Sequence, residues 1–398
     1  MNDGGDIMKG DSEAGGTLGF EPASPLVVYW NNIPSPYFVE RFNAVSQRPG
    51  IRFEAWFNAK SLSHRSWDVD EETWTFNHSY VPERVLLGQR LRISWVRELL
   101  QDRRPALVVS LFSEPSFMIG WHLARRLGTR TAFRVLAPSP TWFVRSHSRE
   151  LVKRYMFRRA DGLFVAGEDA ASYVRGYGVA DDRIFAEPQV SDAEFFSEGT
   201  AAAAGSRERL RSELGLSGVV FVYVGRLWWG KGVEHLIDAF RIAQSALGES
   251  SLLIVGDGED ANALKTKAEE AAPGRVVFTN FRQRPEVPAL LGAGDVFVFP
   301  TLGDPYGLVV DEAMAAGLPV VSTTAAGEIT ARVREGETGR LVPPADPERL
   351  AQAMISLGVD EDARIVMGAK AGAAMAGRTP AYWAEMFEEN VLRLLRAA

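Results

Sequence analysis

The chain has 398 residues, more than one hydrophobic core usually organises, so two domains are the default expectation. Its 46% apolar and 24% charged residues are ordinary for a globular protein, and a net charge of −7 argues against a general nucleic-acid binder. There is no cysteine, which excludes disulfides, thiolate nucleophiles and Cys-ligated metals and fits a cytoplasmic location.

Residues 1–23 are rich in Gly and Asp without an apolar core, and read as a disordered leader rather than a signal peptide. No run of about 18 apolar residues occurs, so no membrane-spanning helix is expected. A first domain over 24–195 alternates strands at 25–30, 51–57, 106–112, 130–135 and 162–166 with helices at 36–47, 89–101, 115–127, 145–159 and 168–177. The stretch 58–82 carries Trp67, Trp74 and His78 without a clear period and reads as a long loop. An Ala/Gly/Ser-rich segment at 199–206 marks the neighbourhood of a boundary. Charge changes there too: Lys and Arg number 24 against 22 Asp and Glu up to Val190, and 20 against 29 from Ser191 onward.

The second domain, over 206–378, has strands at 219–224, 251–255, 276–279, 295–299 and 318–322, with Val233, Leu236, Ile237 and Phe240 on one helical face. Most of these strands run into Gly, Asn or Pro, and ligands of open α/β sheets bind at such carboxyl ends. The final helix, 380–398, carries Trp383, Phe387, Val391 and Leu395. Periodicity alone does not say which domain it covers.

Two segments carry chemistry. In VYVGRLWWGKG a strand runs into Gly225-Arg226, and Gly230-Lys231-Gly232 opens the next helix. Glycines admit close backbone approach, a helix N-terminus offers free N–H groups, and Arg226 and Lys231 add two positive charges, which together suit a diphosphate. A tight turn with two solvated cations is the plainer alternative, and the P-loop spacing is absent. In PTLGDPYGLVVDEAMAAGLPVVST a strand ends at Pro300, Asp304 lies in the loop, Gly307 begins a helix, and Asp311 and Glu312 follow. Carboxylates accept hydrogen bonds from vicinal hydroxyls, so Asp304 and Glu312 suit a sugar and a ribose. Helix N-terminal charge explains Asp304 or Asp311 equally well, and Glu312 less well.

From about Val219 to Pro344 the chain resembles the donor domain of glycosyltransferase family four, retaining enzymes of GT-B fold. The resemblance rests on Gly225-Arg226, Lys231-Gly232, Gly256-Asp257-Gly258, the strand ending at Pro300, Tyr306-Gly307-Leu308, Glu312-Ala313-Met314-Ala315 and Gly339 to Pro343, in the family's order and spacing. It implies an α/β architecture of two Rossmann-like domains with parallel sheets facing each other across a cleft, and a last helix crossing back to the first domain. It implies that Arg226 and Lys231 bind the donor diphosphate, that Glu312 holds the ribose, and that Asp304 stands where the family's first glutamate contacts the donor sugar. The backbone N–H groups of Tyr306, Gly307 and Leu308, beside Gly225, would meet the phosphates, and Phe281 and Arg282 would lie near the base. The implied activity is transfer of a sugar from a nucleoside-diphosphate sugar to a hydroxyl acceptor with retention, with no metal or other cofactor required.

Two departures concern the sugar and acceptor sides. Asp304 is one methylene shorter than the usual Glu. The family's glycine pair after the first strand is replaced by Asn31-Asn32-Ile33-Pro34-Ser35-Pro36-Tyr37, in which Ser35 suits an N-cap and Pro36 a first helical turn, so a phosphate- or acceptor-facing helix start is expected. His122 and His147 are the candidates for a first-domain histidine.

Weaker signals have simpler readings. Asp68-Val69-Asp70 spells D-x-D, a metal-binding pattern in other transferases, but sits in an acidic loop, and the five histidines show no metal-ligand spacing. The helix 145–159 holds Arg145, Arg149, Lys153, Arg154, Arg158 and Arg159 with Leu151, Val152, Tyr155 and Met156 between them. It is either a solvated face on a core-packed helix or a contact with anionic lipid at the inner face of a membrane, which would suit a lipid-linked acceptor. The competing activities are nucleotide-sugar epimerisation or phosphorolysis at the same donor site, and a catalytically degenerate sugar-nucleotide-binding subunit.

Overall fold

A computed structural model describes residues 24–60, 70–81, 84–86, 89–91, 93–112, 114–137 and 147–397. The expected leader, Trp67, Asp68, Val69 and Arg145 lie outside the described residues.

The first half builds strands β1 (Leu26–Asn31), β2 (Arg52–Phe57), β3 (Asn77–Tyr80), β4 (Arg84–Leu86), β5 (Gln89–Leu91), β6 (Leu107–Ser110), β7 (Arg130–Val135), β8 (Gly162–Val165) and β9 (Ile184–Ala186). Its helices are α1 (Pro36–Ser46), α2 (Ile93–Arg103), α3 (Pro115–Arg126), α4 (His147–Phe157) and α5 (Glu168–Arg175). The second half supplies β10 (Val219–Val224), β11 (Ser250–Val255), β12 (Val276–Phe278), β13 (Val296–Phe299), β14 (Val320–Thr323) and β15 (Gly339–Val342). Its helices are α6 (Ala193–Ala203), α7 (Arg207–Glu213), α8 (Val233–Leu247), α9 (Ala261–Ala271), α10 (Val287–Gly292), α11 (Leu308–Ala315), α12 (Ile329–Arg332), α13 (Pro347–Val359), α14 (Glu361–Met375) and α15 (Pro380–Arg396).

Two sheets result, ordered β3-β2-β1-β6-β7-β8-β9 and β12-β11-β10-β13-β14-β15, and every pairing in both is parallel. Continuous apolar runs explain this, because a parallel strand covered on both faces has no solvent side to alternate toward. The first sheet buries α1 and α15 on one face, around Tyr29, Phe42, Trp383 and Phe387, and α3, α4 and α5 on the other, around Trp121, Phe133 and Phe157. The second sheet buries α8, α9 and α13 on one face and α6, α10, α11 and α14 on the other.

Two expectations are corrected. The helix expected over 89–101 begins only at Ile93, because β4 and β5 pair as an antiparallel hairpin in register Val85 to Arg90. The supposed loop 58–82 includes β3, which extends β2 in parallel, and buries Trp74 against Phe57 and Phe76. Segment 199–206 is helical, and α6 already puts Phe196 into the core of the second sheet with Val220 and Phe297.

Candidate active site

Strand order in the second sheet reverses between β10 and β13, so the loops that follow these strands part and leave a crevice at their carboxyl ends. The two loops are stitched together below it. Leu302 N–H and the Thr301 hydroxyl donate to the Gly230 carbonyl at 3.0 and 3.2 Å. Gly232 takes φ 67°, and a Cβ there would run into the Pro300 carbonyl. This closeness carries Lys231 to Asp304, whose Oδ2 receives the ammonium in an ion pair. Asp304 Oδ1 accepts the Tyr306 N–H at 2.8 Å, which fixes the turn into α11.

Gly307 starts that helix at φ 75°, with the Phe299 ring 2.7 Å from where a Cβ would stand. Beneath the loop lies Arg332, a buried guanidinium that no local motif singles out. It pairs with Asp311 Oδ1 at 2.7 Å, donates to the carbonyls of Gly307 (3.2 Å), Gly327 (3.3 Å) and Tyr306, and lies 3.9 Å over the Tyr306 ring. In a trans peptide the N–H points opposite to the carbonyl that precedes it. With the carbonyls of Tyr306 and Gly307 drawn onto Arg332, the N–H groups of Gly307 and Leu308 therefore point away from it.

Glu312 is buried one turn further on and accepts the Tyr37 hydroxyl of α1 at 2.7 Å, so first-domain residues reach this part of the second domain. Burial pushes its carboxyl up from 4.5 to about 7, against the opposing Tyr37 hydrogen bond and the Arg284 charge. Glu40 of α1 meets Arg284 at 2.5 Å across the same junction, and burial pushes this carboxyl to about 7 as well. A further tie joins the domains. The Glu328 carboxylate accepts the N–H groups of Asp169 (3.2 Å) and Ala170 (2.9 Å) at the start of α5, beside Gly167.

The remaining sequence candidates are less concentrated. Arg226 leaves β10 beside Gly225 and pairs with Glu259 at 2.9 Å, near the Trp228 ring and not with Lys231 or Asp304. Phe281 is exposed after β12, and Arg282 bonds the Thr279 carbonyl and Glu286. Asn31 ends β1 and Asn32 follows it at the reversal point of the first sheet, where Asn31 Oδ1 accepts the Asn32 N–H and Asn32 Oδ1 accepts from Asn58. Ser35 occupies the N-cap position of α1, but its hydroxyl makes no capping bond, which corrects that part of the expectation. Of the 31–37 loop, Tyr37 is the residue with a hydrogen bond to the second domain among the described residues. His122 and His147 are both exposed, on α3 and at the start of α4.

Asp70, the described end of the D-x-D, caps a short 3-10 turn by accepting the Glu72 N–H at 2.9 Å. Among the described residues no group of three His, Asp or Glu side chains is placed to hold a metal.

The family "Glycosyl transferase 4-like domain" matches residues 47–188 and "Glycosyl transferases group 1" matches 218–360, so the two segments cover more than half of the chain. The chain is 31% identical over 233 residues to D-inositol 3-phosphate glycosyltransferase of Corynebacterium glutamicum, covering 56% of this chain and 55% of that one. It is 30% identical over 226 residues to 2-deoxystreptamine glucosyltransferase of Streptomyces kanamyceticus, covering 56% and 57%. The matches therefore span little more than half the length of these curated relatives. The structure of Anabaena HepE in complex with UDP superposes with a TM-score of 0.75 at 18% identity, over 92% of this chain and 99% of that one. The chain belongs to the group 1, family-four type of glycosyltransferases and has their GT-B fold.

Proposed function

We propose that the protein transfers a sugar from a nucleoside-diphosphate sugar to a hydroxyl acceptor with retention of anomeric configuration. The observation that carries the reading is the meeting of Lys231, Asp304 and the Gly307 N–H face at the reversal point of the second sheet. A diphosphate laid there meets one ammonium and backbone donors at a helix start, with Arg226 on the neighbouring rim. Asp304 holds Lys231 in place before the donor arrives. Glu312 offers a buried carboxylate to ribose hydroxyls, which then replace the Tyr37 hydroxyl as donors to it.

Departure of the diphosphate develops negative charge on its leaving oxygen. Fixed cations and N–H dipoles stabilise that charge without reorganising, and front-face transfer needs no protein nucleophile. In this reading the exposed ring of Phe281 lies against the base, with Arg282 beside it. These residues act without a metal or other cofactor in this scheme.

The test is a screen of UDP-, GDP-, ADP- and dTDP-sugars, read by protection against heat and by sugar release. It begins with UDP-glucose, which is bound in a second HepE structure. D-inositol 3-phosphate and 2-deoxystreptamine, named for the relatives, head the acceptor panel, and lipid-linked acceptors follow. The reading requires one donor to protect the protein and to yield a product of unchanged anomeric configuration. An inverted product would overturn retention, and protection without turnover across the panel would favour a degenerate binding subunit.

A further inference from the structure

We propose that the outward face of α3 and α4 seats the protein on an anionic lipid surface. Sequence leaves open whether the apolar residues of α4 serve the core, and the structure divides them. Met156 and Phe157 are buried, whereas Leu151, Val152 and Tyr155 are 68%, 40% and 51% exposed. Single exposed apolar residues are ordinary on protein surfaces. Here three fall at i, i+1 and i+4 on one helix, so they form a contiguous outward stripe.

Cations flank that stripe. At 100° per residue Arg149 lies to one side of it and Arg154 to the other, Arg158 follows α4 in a turn whose N–H still bonds the Arg154 carbonyl at 3.3 Å, and all three are exposed, as is Arg159. Arg159 lies 4.2 Å over the Tyr155 ring, and Tyr155 meets Trp121 of α3 edge-on at 6.3 Å. Through Arg125, which donates to the Arg159 carbonyl at 2.7 Å, the patch continues onto the end of α3 with exposed Arg126 and Leu127. The acids on these elements are already engaged: Glu150 bonds Lys153 and Tyr177, and Asp161 bonds Arg125 and Thr131. An apolar centre with an arginine margin is the arrangement of a helix lying in a lipid interface. Because the whole chain carries a net charge of −7, attraction to an anionic surface has to come from such a local patch.

This inference is independent of glycosyl transfer, and its readouts use no sugar donor. The full chain is floated with vesicles of phosphatidylcholine alone and of phosphatidylcholine mixed with phosphatidylglycerol, at low and high salt. Flotation with the anionic vesicles only, weakened by salt, is expected. The double variant Arg154→Gln/Arg158→Gln should partition about thirtyfold more weakly. Leu151→Ser/Tyr155→Ser should lose the part of binding that survives high salt. All four positions are exposed, and unchanged thermal unfolding confirms that both variants are folded. No flotation of the wild-type chain, or flotation untouched by either double variant, overturns the proposal. So does self-association that these variants abolish in the absence of lipid, which would assign the face to a second copy of the chain.

Discussion

Replacing Arg332 by Met removes a guanidinium that the structure places at the base of the Tyr306–Leu308 loop. Its partner Asp311 is buried, so the substitution leaves a carboxylate without its counter-ion and frees the carbonyls of Tyr306, Gly307 and Gly327. Breaking a buried pair by removing one partner costs about 3–5 kcal/mol. For a unit the size of the second domain each kcal/mol lowers the midpoint by about 2–4 °C, so its thermal transition should fall by about 6–20 °C. Replacing both partners, as Asp311→Leu/Arg332→Met, removes the orphaned charge and should recover at least half of that loss, since exchanging a whole buried pair for apolar groups is often neutral. Circular dichroism melts of the wild type, both single variants and the double variant provide the cycle. A single variant that melts within about 2 °C of the wild type, under 1 kcal/mol on the same scale, would refute the account of Arg332 as the anchor of the loop.

Glu312 gives a pH signature. Its folded carboxyl is raised from 4.5 to about 7, so its contribution to stability is complete below 4.5 and is lost as pH rises through about 7. The full loss corresponds to about 3 kcal/mol, and Glu312→Gln should flatten the fall in urea stability over that window; an unchanged profile would count against the burial of an ionisable group there. Gly307→Ala forces a side chain into φ 75° against the Phe299 ring, and should lower the thermal midpoint and weaken nucleoside-diphosphate binding. Binding equal to wild type by calorimetry would remove the loop from the site.

Much of the fold is legible because its strands are buried on both faces. Arg130–Val135 and Val219–Val224 read directly as strands, and both have covered centres. The strand Asn77–Tyr80 escapes notice because an edge strand of Asn, His, Ser and Tyr carries no apolar run. The site divides similarly. Gly232, Lys231, Asp304 and Gly307 lie in short segments where local chemistry marks a turn, a charge and a helix start. Arg284 sits in a readable Gln283 to Glu286 capping box, but its partner Glu40 lies in the other domain. Arg332 is one arginine among several until the fold brings it beneath Tyr306. Glu328 takes φ 56° to reach α5, a left-handed conformation that a glutamate does not announce.

Titration of the wild type, Lys231→Ala and Arg226→Ala with the nucleoside diphosphate that scores in the donor screen, followed by turnover with the matching sugar, tests the donor site most directly. The wild type should bind, Lys231→Ala should lose affinity, and both variants should lose about 10²–10³ in turnover while remaining folded. A wild-type chain that binds none of the four nucleoside diphosphates, or variants that bind and turn over as the wild type does, would contradict this assignment of the donor site.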